Sequence, residues 1–135
     1  MKRAVILHGT DGSPMTFYWV LNWDFSDNIV IGHSSGAVSV MNLLMDEQCP
    51  KIGHGVMIGA WAGGLPNDFQ ASNQQFINLF PENGFDFELI KSKAGKLSFI
   101  HEDDDPYCPL DDAKYLSQNL DVGLTIIPNG GHLSK

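Results

Sequence analysis

A serine, a group of aspartates and a histidine follow one another along this chain in an order that suits nucleophilic catalysis. Ser34 stands in the pattern G-x-S-x-G with Gly32 and Gly36, Asp105 belongs to a later acidic segment, and His132 follows a Gly-Gly pair. A serine hydroxyl is a weak nucleophile, so it needs an imidazole to accept its proton and a carboxylate to orient that imidazole. These residues predict attack by Ser34 on a carbonyl carbon.

The residues around Ser34 predict a sharp turn between a strand and a helix. Residues 29–31 are all β-branched, and apolar residues recur at helical spacing over 37–45. The elbow consists of Gly32, His33, Ser34 and Gly36, and its glycines would let the backbone turn tightly and present the hydroxyl above a sheet. An ordinary Gly/Ser turn before a helix is the alternative interpretation.

His132 is the best candidate for the catalytic base among the five histidines. It lies on a glycine-rich loop directly after the last predicted strand, where the side chain can reach a neighbouring strand end. His8 is assigned to the turn after the first predicted strand, and His33 is expected to point away from the site. His54 and His101 are expected to be structural or exposed.

The candidates for the carboxylate are Asp103, Asp104 and Asp105, which all follow the fourth predicted strand. We choose Asp105 because Pro106 fixes the turn and holds this side chain toward the next loop, and Asp104 is the alternative. A solvated acidic turn over residues 102–105 is the competing interpretation. The EF-hand spacing and its glycine are absent, so no metal and no other cofactor are expected.

The tetrahedral intermediate of such a reaction carries negative charge, which backbone N–H groups would have to stabilise. One donor is predicted to be the N–H of Ser35, at the start of the helix after the elbow. The other is predicted to be the N–H of Gly9 or Thr10, in the glycine-rich turn after the first strand. Together they would form the oxyanion hole.

Strands and helices alternate along the sequence, which predicts an α/β fold with a compact parallel sheet of about five strands and helices on both faces. Residues 1–135 would form a single domain. The predicted strands cover 3–7, 28–31, 55–60, 97–100 and 124–127, and the predicted helices cover 15–23, the elbow to about 49, 73–80, 85–93 and 110–120. Ligands bind at the carboxyl ends of such strands, where Ser34, Asp105 and His132 would meet.

The composition limits the classes of partner. With 43% hydrophobic residues the chain is globular, and its net charge of −8 argues against nucleic acid, whose binding depends on Lys and Arg. No segment has the length of a transmembrane helix or of a signal peptide core, so no membrane partner and a cytoplasmic location are expected. Cys49 and Cys108 lack metal-ligand spacing and are expected to be free thiols, although a disulfide between them stays open.

Four segments give the chain a specific likeness to a known family. They are A-V-I-L-H-G-T-D-G-S-P at 4–14, V-I-G-H-S-S-G-A at 30–37, D-D-P-Y-C-P at 104–109 and N-G-G-H at 129–132. Their order resembles that of the α/β-hydrolase superfamily, and in particular the small serine hydrolases of the retinoblastoma-binding-protein type. The resemblance implies that Ser34 is the nucleophile, Asp105 the acid and His132 the base, in a carboxylesterase-like enzyme acting on small esters or amides. Peptidase or thioesterase chemistry would use the same residues.

The chain departs from this family between residues 10 and 28 and at its C terminus. Family members carry an additional strand with flanking helices in the first region, at least ~30 residues, and a helix after the final histidine. We expect either a natural minimal form or a sequence from which segments were omitted. The missing strand would leave residues 4–7 as an apolar edge, which predicts homodimerisation or aggregation.

A catalytically inactive α/β-hydrolase-fold domain that binds a protein partner is the alternative function. Such a domain would use the exposed sheet edge or the aromatic residues at 61, 69, 76, 80, 85 and 87. These aromatic side chains could instead line an acyl pocket above the serine. Packing against the sheet is the commoner role for such residues, and it is the one expected for most of them.

Overall fold

The computed structural model describes residues 4–7, 24–63 and 79–133, and these contain five strands and three helices. In chain order the elements are β1 (Ala4–Leu7), β2 (Phe25–His33), α1 (Ser35–Met45), β3 (Ile52–Ile58), α2 (Phe87–Lys93), β4 (Ala94–Glu102), α3 (Leu110–Asn119) and β5 (Leu124–Ile127).

The five strands form one parallel sheet in the order β1-β2-β3-β4-β5. Because all of them run in the same direction, their carboxyl ends lie at a single edge of the sheet, and the segments after β2, β4 and β5 meet there. The expected α/β fold with about five parallel strands is confirmed. The strand that carries Ser34 is adjacent to β1 and β3.

One face of the sheet supplies most of the strand residues of the hydrophobic core. The registers place Val30, Met57, Leu97 and Phe99 on this face, and all four are buried. Helix α1 packs against them with its apolar residues almost completely buried, and Ile90 of α2 and Leu116 of α3 extend the same cluster. The core therefore fixes α1, and with it the turn that carries Ser34.

Several element boundaries differ from the sequence-based predictions. Strand β3 covers Ile52–Ile58 instead of 55–60, because Gly59 takes a positive φ of 60° and ends the strand. Helix α1 ends at Met45, earlier than predicted, and the Asp46 side chain accepts a hydrogen bond from the N–H of Gln48 in the turn that follows. The helix predicted over 15–23 and nearly all of the one over 73–80 lie outside the described residues.

The aromatic side chains at 61, 80, 85 and 87 belong to the core or pack against it, as expected. Trp61 is buried, and its ring meets that of Phe80 edge-on at 5.5 Å. Phe69 and Phe76 lie outside the described residues. Packing, and not an open aromatic wall, is therefore the role of the four that are described.

Both cysteines are buried free thiols, in agreement with the expectation from the sequence. Burial raises the pKa of Cys49 to about 11, so its thiol is protonated at neutral pH. None of the helices in the described part of the chain has the length and apolar character needed to span a bilayer.

Strand β1 lies at one end of the sheet, and β2 is its only strand neighbour among the described residues. Its Ile6 side chain is 68% exposed. An edge strand with unpaired backbone groups can pair with another chain. The homodimer expected from this edge stays a prediction.

Candidate active site

Ser34 occupies a strained turn between β2 and α1. Its backbone has a φ of 58° and a ψ of −125°, a combination that residues with a Cβ rarely adopt. Two hydrogen bonds hold this conformation, because the Ser34 N–H donates to the carbonyl of Ile58 at 2.8 Å and the Ser34 carbonyl accepts from Ala37 at 2.9 Å. The turn is thus bound to β3 on one side and to α1 on the other.

Glycine at position 32 allows the start of α1 to approach β2 closely. A Cβ at Gly32 would lie only 2.3 Å from the Gly36 carbonyl oxygen, a backbone atom that cannot move independently. The spacing of the G-x-S-x-G pattern therefore has a steric cause. It reflects the contact between a strand end and the first turn of the following helix, with Ser34 between them.

The structure brings Asp105 and His132 together. The His132 Nδ1 donates to Asp105 Oδ2 at 2.7 Å, and the N–H groups of Tyr107 and Cys108 donate to Asp105 Oδ1 at 2.8 and 2.9 Å. The Asp105 side chain is 1% exposed. Burial raises the pKa of this carboxyl, but the hydrogen bonds from His132 and the two N–H groups outweigh that effect and hold the pKa below its usual value.

This arrangement sets the tautomer of the imidazole. An ionised carboxylate only accepts hydrogen bonds, so the proton lies on His132 Nδ1 and the lone pair on Nε2. The His132 side chain is 13% exposed, and the edge of the ring of Tyr107 packs against its ring at a centroid distance of 5.2 Å. An imidazole held in this form can accept a proton from a neighbouring hydroxyl.

Cys108 adjoins both Ser34 and this pair, since its N–H donates to Asp105 Oδ1 and its thiol is near the Ser34 hydroxyl. Burial, together with the negative charges of Asp105 and Asp112, raises the pKa of the Cys108 thiol, so it is protonated at neutral pH. Cys108 was not among the site residues predicted from the sequence. An aspartate before a proline often accepts hydrogen bonds from the N–H groups two and three residues later. That rule would have placed Cys108 beside Asp105.

Cys108, Asp105 and His132 are also the residues that a metal ion would use. One potential ligand atom from each lies within 4.8 Å of the other two, and no other group of this kind occurs among the described residues. The ligands of a tetrahedral zinc ion stand about 3.5 Å apart, and a cysteine binds zinc as the thiolate. The protonated thiol and the Asp105–His132 hydrogen bond do not fit those requirements.

His33 contacts the candidate base, so the expectation that it points away from the site was wrong. Its ring centroid lies 4.8 Å from that of His132, and its Nε2 donates to the His132 carbonyl at 3.1 Å. The cause is the path of the chain, because the loop after β5 returns across the carboxyl ends of β4 and β3 to reach β2. His33 thereby attaches that loop to the elbow.

The other two histidines among the described residues are structural, as expected. His54 hydrogen-bonds the Ser98 hydroxyl at 2.8 Å, between neighbouring strands. His101 is buried, and its Nε2 donates to the carbonyl of Cys108 at 2.9 Å. This second bond fixes the turn that follows Asp105.

The residues predicted to form the oxyanion hole are described only in part. Ser35 is the first residue of α1, at the end of the helix where backbone N–H groups and the helix dipole favour negative charge. His8, Gly9 and Thr10 lie outside the described residues. The role predicted for Gly9 or Thr10 stays a prediction.

Three features of this site define the class of α/β hydrolases. They are a strand-turn-helix with serine at the turn, an acidic segment after β4 and a loop after β5 that carries a histidine. The sequence profile of the family described as serine hydrolase matches residues 5–135, so the chain belongs to the serine hydrolase family.

YdeN of Bacillus subtilis (strain 168) is 27% identical to this chain over 104 residues, which are 76% of this chain and 52% of that protein. The chain thus spans about half the length of this curated relative. The crystal structure of the ydeN gene product superimposes with a TM-score of 0.84 at 19% identity, covering 98% of this chain and 88% of that one.

Two further crystal structures share the fold at lower identity. Serine hydrolase CCSP0084 from Cycloclasticus zankles has a TM-score of 0.61 at 13% identity, covering 98% of this chain and 83% of that one. MGS-M2, an α/β hydrolase enzyme from a deep-sea metagenome library of the Medee basin, has a TM-score of 0.60 at 14% identity, covering 97% and 82%.

Proposed function

We propose that this protein cleaves small ester or amide substrates through an acyl-enzyme on Ser34. The observation that carries the proposal is the 2.7 Å hydrogen bond between His132 and a buried Asp105, at the sheet edge where the strained elbow presents Ser34. Membership of the serine hydrolase family and the fold of the solved relatives support it.

Each group has a defined part in the proposed reaction. The Ser34 oxygen attacks the substrate carbonyl carbon as the His132 Nε2 takes the hydroxyl proton. Asp105 stabilises the resulting imidazolium, and the N–H groups of Ser35 and of Gly9 or Thr10 stabilise the oxyanion. The imidazolium then protonates the leaving alkoxide or amine. Water, deprotonated by the same imidazole, releases the acid and restores Ser34.

The substrate range belongs to the same proposal. A carboxylesterase-like preference follows from the likeness to the retinoblastoma-binding-protein type, which rests on the four sequence segments. A reducing cytoplasm as the site of action is supported by two buried free thiols. p-Nitrophenyl esters are the simplest substrates to test because their leaving group, p-nitrophenolate, needs little protonation.

Replacement of the nucleophile tests the proposal. Ser34→Ala is expected to reduce turnover of p-nitrophenyl acetate by about 1,000-fold or more, since the variant cannot form the acyl-enzyme. Ser92→Ala is a matched control, because Ser92 is an exposed serine in α2. Equal turnover by Ser34→Ala and the control would contradict the assignment of Ser34.

A further inference from the structure

The acidic residues before and including Asp105 contact the loop that carries His132, one residue after another. Asp103 Oδ1 accepts from the Asn129 N–H at 2.9 Å, and Asp104 Oδ1 accepts from the Gly131 N–H at 2.8 Å. Asp105 then accepts from His132 itself. We call residues 102–105 the acidic clamp and residues 129–132 the histidine loop.

Glu102, the remaining residue of the acidic clamp, packs closely against Gly130 of the histidine loop. It is completely buried, and a Cβ added at Gly130 would lie 2.5 Å from the Glu102 Cγ. The N–H of Asp103 also donates to the carbonyl of Ile127 at 3.1 Å, at the end of β5. Every residue of the histidine loop is therefore in contact with one residue of the acidic clamp, which is bonded to the loop although Asp103 and Asp104 are exposed to solvent.

The histidine loop needs such support because its own backbone conformation is unfavourable. Asn129 has a φ of 54° and Leu133, the residue directly after the loop, has a φ of 48°, whereas Gly131 accommodates its φ of 65° without strain. Conformations of this kind persist only where surrounding contacts enforce them. A catalytic imidazole must also keep its position to within about 0.5 Å.

We propose that Asp104 and Asp103 are positioning residues for His132, acting through the N–H groups of Gly131 and Asn129. The inference rests on the proposed function, since His132 is the base in that reaction. A carboxylate that accepts a backbone N–H makes a charge-assisted bond, stronger than one between neutral groups. The two bonds restrain the loop backbone on both sides of Gly130, and so aim the imidazole at Asp105 and Ser34.

A positioning role and a purely structural role predict different results, and the exposure of both aspartates allows the two to be separated. Their truncation leaves no buried cavity and no unpaired buried charge, so the fold should tolerate it. The fraction of molecules with a correctly aimed imidazole should fall instead. Since the two carboxylates are bonded to the loop backbone, we expect their loss to lower kcat while KM stays the same.

The experiment compares variants of the full chain with p-nitrophenyl acetate as substrate. Asp104→Ala is expected to lower kcat about 10- to 100-fold with little change in KM, because small displacements of a catalytic group cost this much. Asp104→Asn keeps an acceptor oxygen for Gly131 and is expected to recover most of the rate. Asp103→Ala tests the second bond independently, in case Asp104→Ala does not fold.

Asp46→Ala is the matched control. Asp46 also accepts a backbone N–H in an exposed turn, from Gln48 at 2.8 Å, but it lies outside the clamp. The control is expected to keep the wild-type kcat and KM. A decrease in kcat for Asp46→Ala equal to that of Asp104→Ala would show a general effect of removing surface bonds and would overturn the proposal.

A proton NMR measurement separates this inference from the proposed function. The Nδ1 proton of His132, shared with a carboxylate, should give a downfield signal in the wild type that is lost or broadened in Asp104→Ala and retained in Asp104→Asn. An unchanged signal and unchanged kcat in both aspartate-to-alanine variants would overturn the inference. Loss of the signal in a protein that hydrolyses no ester would support the positioning and contradict the proposed function.

Discussion

The two halves of the candidate site are built by different means. The elbow around Ser34 consists of neighbouring residues, and backbone contacts between β2, β3 and α1 hold it. The half that contains Asp105 and His132 joins segments that are 26 or 27 residues apart in the sequence. Aspartate side chains connect these segments by accepting hydrogen bonds from N–H groups of the histidine loop. A substitution in the elbow should therefore cause a large loss of stability and activity. Substitutions in the second half should each cause a smaller loss.

The largest expected effect is in the elbow. Gly32→Ala places a Cβ 2.3 Å from a backbone oxygen, so α1 must move away from β2. We expect a loss of about 3 kcal/mol or more in the free energy of unfolding, measured with urea, together with loss of esterase activity. Gly123→Ala is the control, because nothing lies within 4 Å of its added Cβ. A loss below about 1 kcal/mol for Gly32→Ala would show that the elbow is not rigid.

An intermediate effect is expected in the other half. In Gly130→Ala the new methyl group meets the Cγ of the completely buried Glu102 side chain, and the backbone of Gly130 does not have a positive φ. We expect a loss of about 1–3 kcal/mol in the same urea measurement.

The same substitution in a Glu102→Ala background tests the cause of that loss. Removal of the Glu102 Cγ leaves room for the methyl group, so the additional loss caused by Gly130→Ala should fall below about 0.5 kcal/mol. Equal losses in both backgrounds would mean that the contact between Glu102 and Gly130 does not determine the position of the histidine loop.

The smallest effect is a pH dependence of stability that belongs to Asp105. Its pKa is lowered from the usual 3.8 by the bonds from His132, Tyr107 and Cys108, although burial opposes this. A group with a lowered pKa stabilises the fold fully above its unfolded-state value, and this contribution disappears as the pH falls through the folded-state value. The difference in unfolding free energy between wild type and Asp105→Asn should therefore shrink as the pH falls from about 5 to below 3. A constant difference would contradict the lowered pKa.

The contrast between the two halves also explains what could be predicted from the sequence. The elbow follows from local rules, since β-branched residues, two glycines and helical spacing surround Ser34 within a short segment. Strand β5 was predicted with the bounds that the structure has, Leu124–Ile127, because the segment is short, apolar and bounded by Gly and Pro.

The acidic clamp could not be predicted in the same way. Asp103, Asp104 and Asp105 all follow β4, and which of them meets His132 depends on a turn fixed by bonds to Tyr107, Cys108 and the histidine loop. The contact of His33 with His132 spans 99 residues and results from the sheet order. The local pattern around Pro106 favoured Asp105 over Asp103 and Asp104, but it gave no indication of the contact between His33 and His132.

Modification of the wild-type protein by a fluorophosphonate probe tests the central claim most directly. The probe reacts with activated serines, so intact-mass measurement followed by peptide mapping should show a single adduct on Ser34, and Ser34→Ala should show none. Absence of an adduct on the folded wild-type protein would contradict the proposed catalytic role of Ser34, Asp105 and His132, and would favour a binding domain that retains the hydrolase fold.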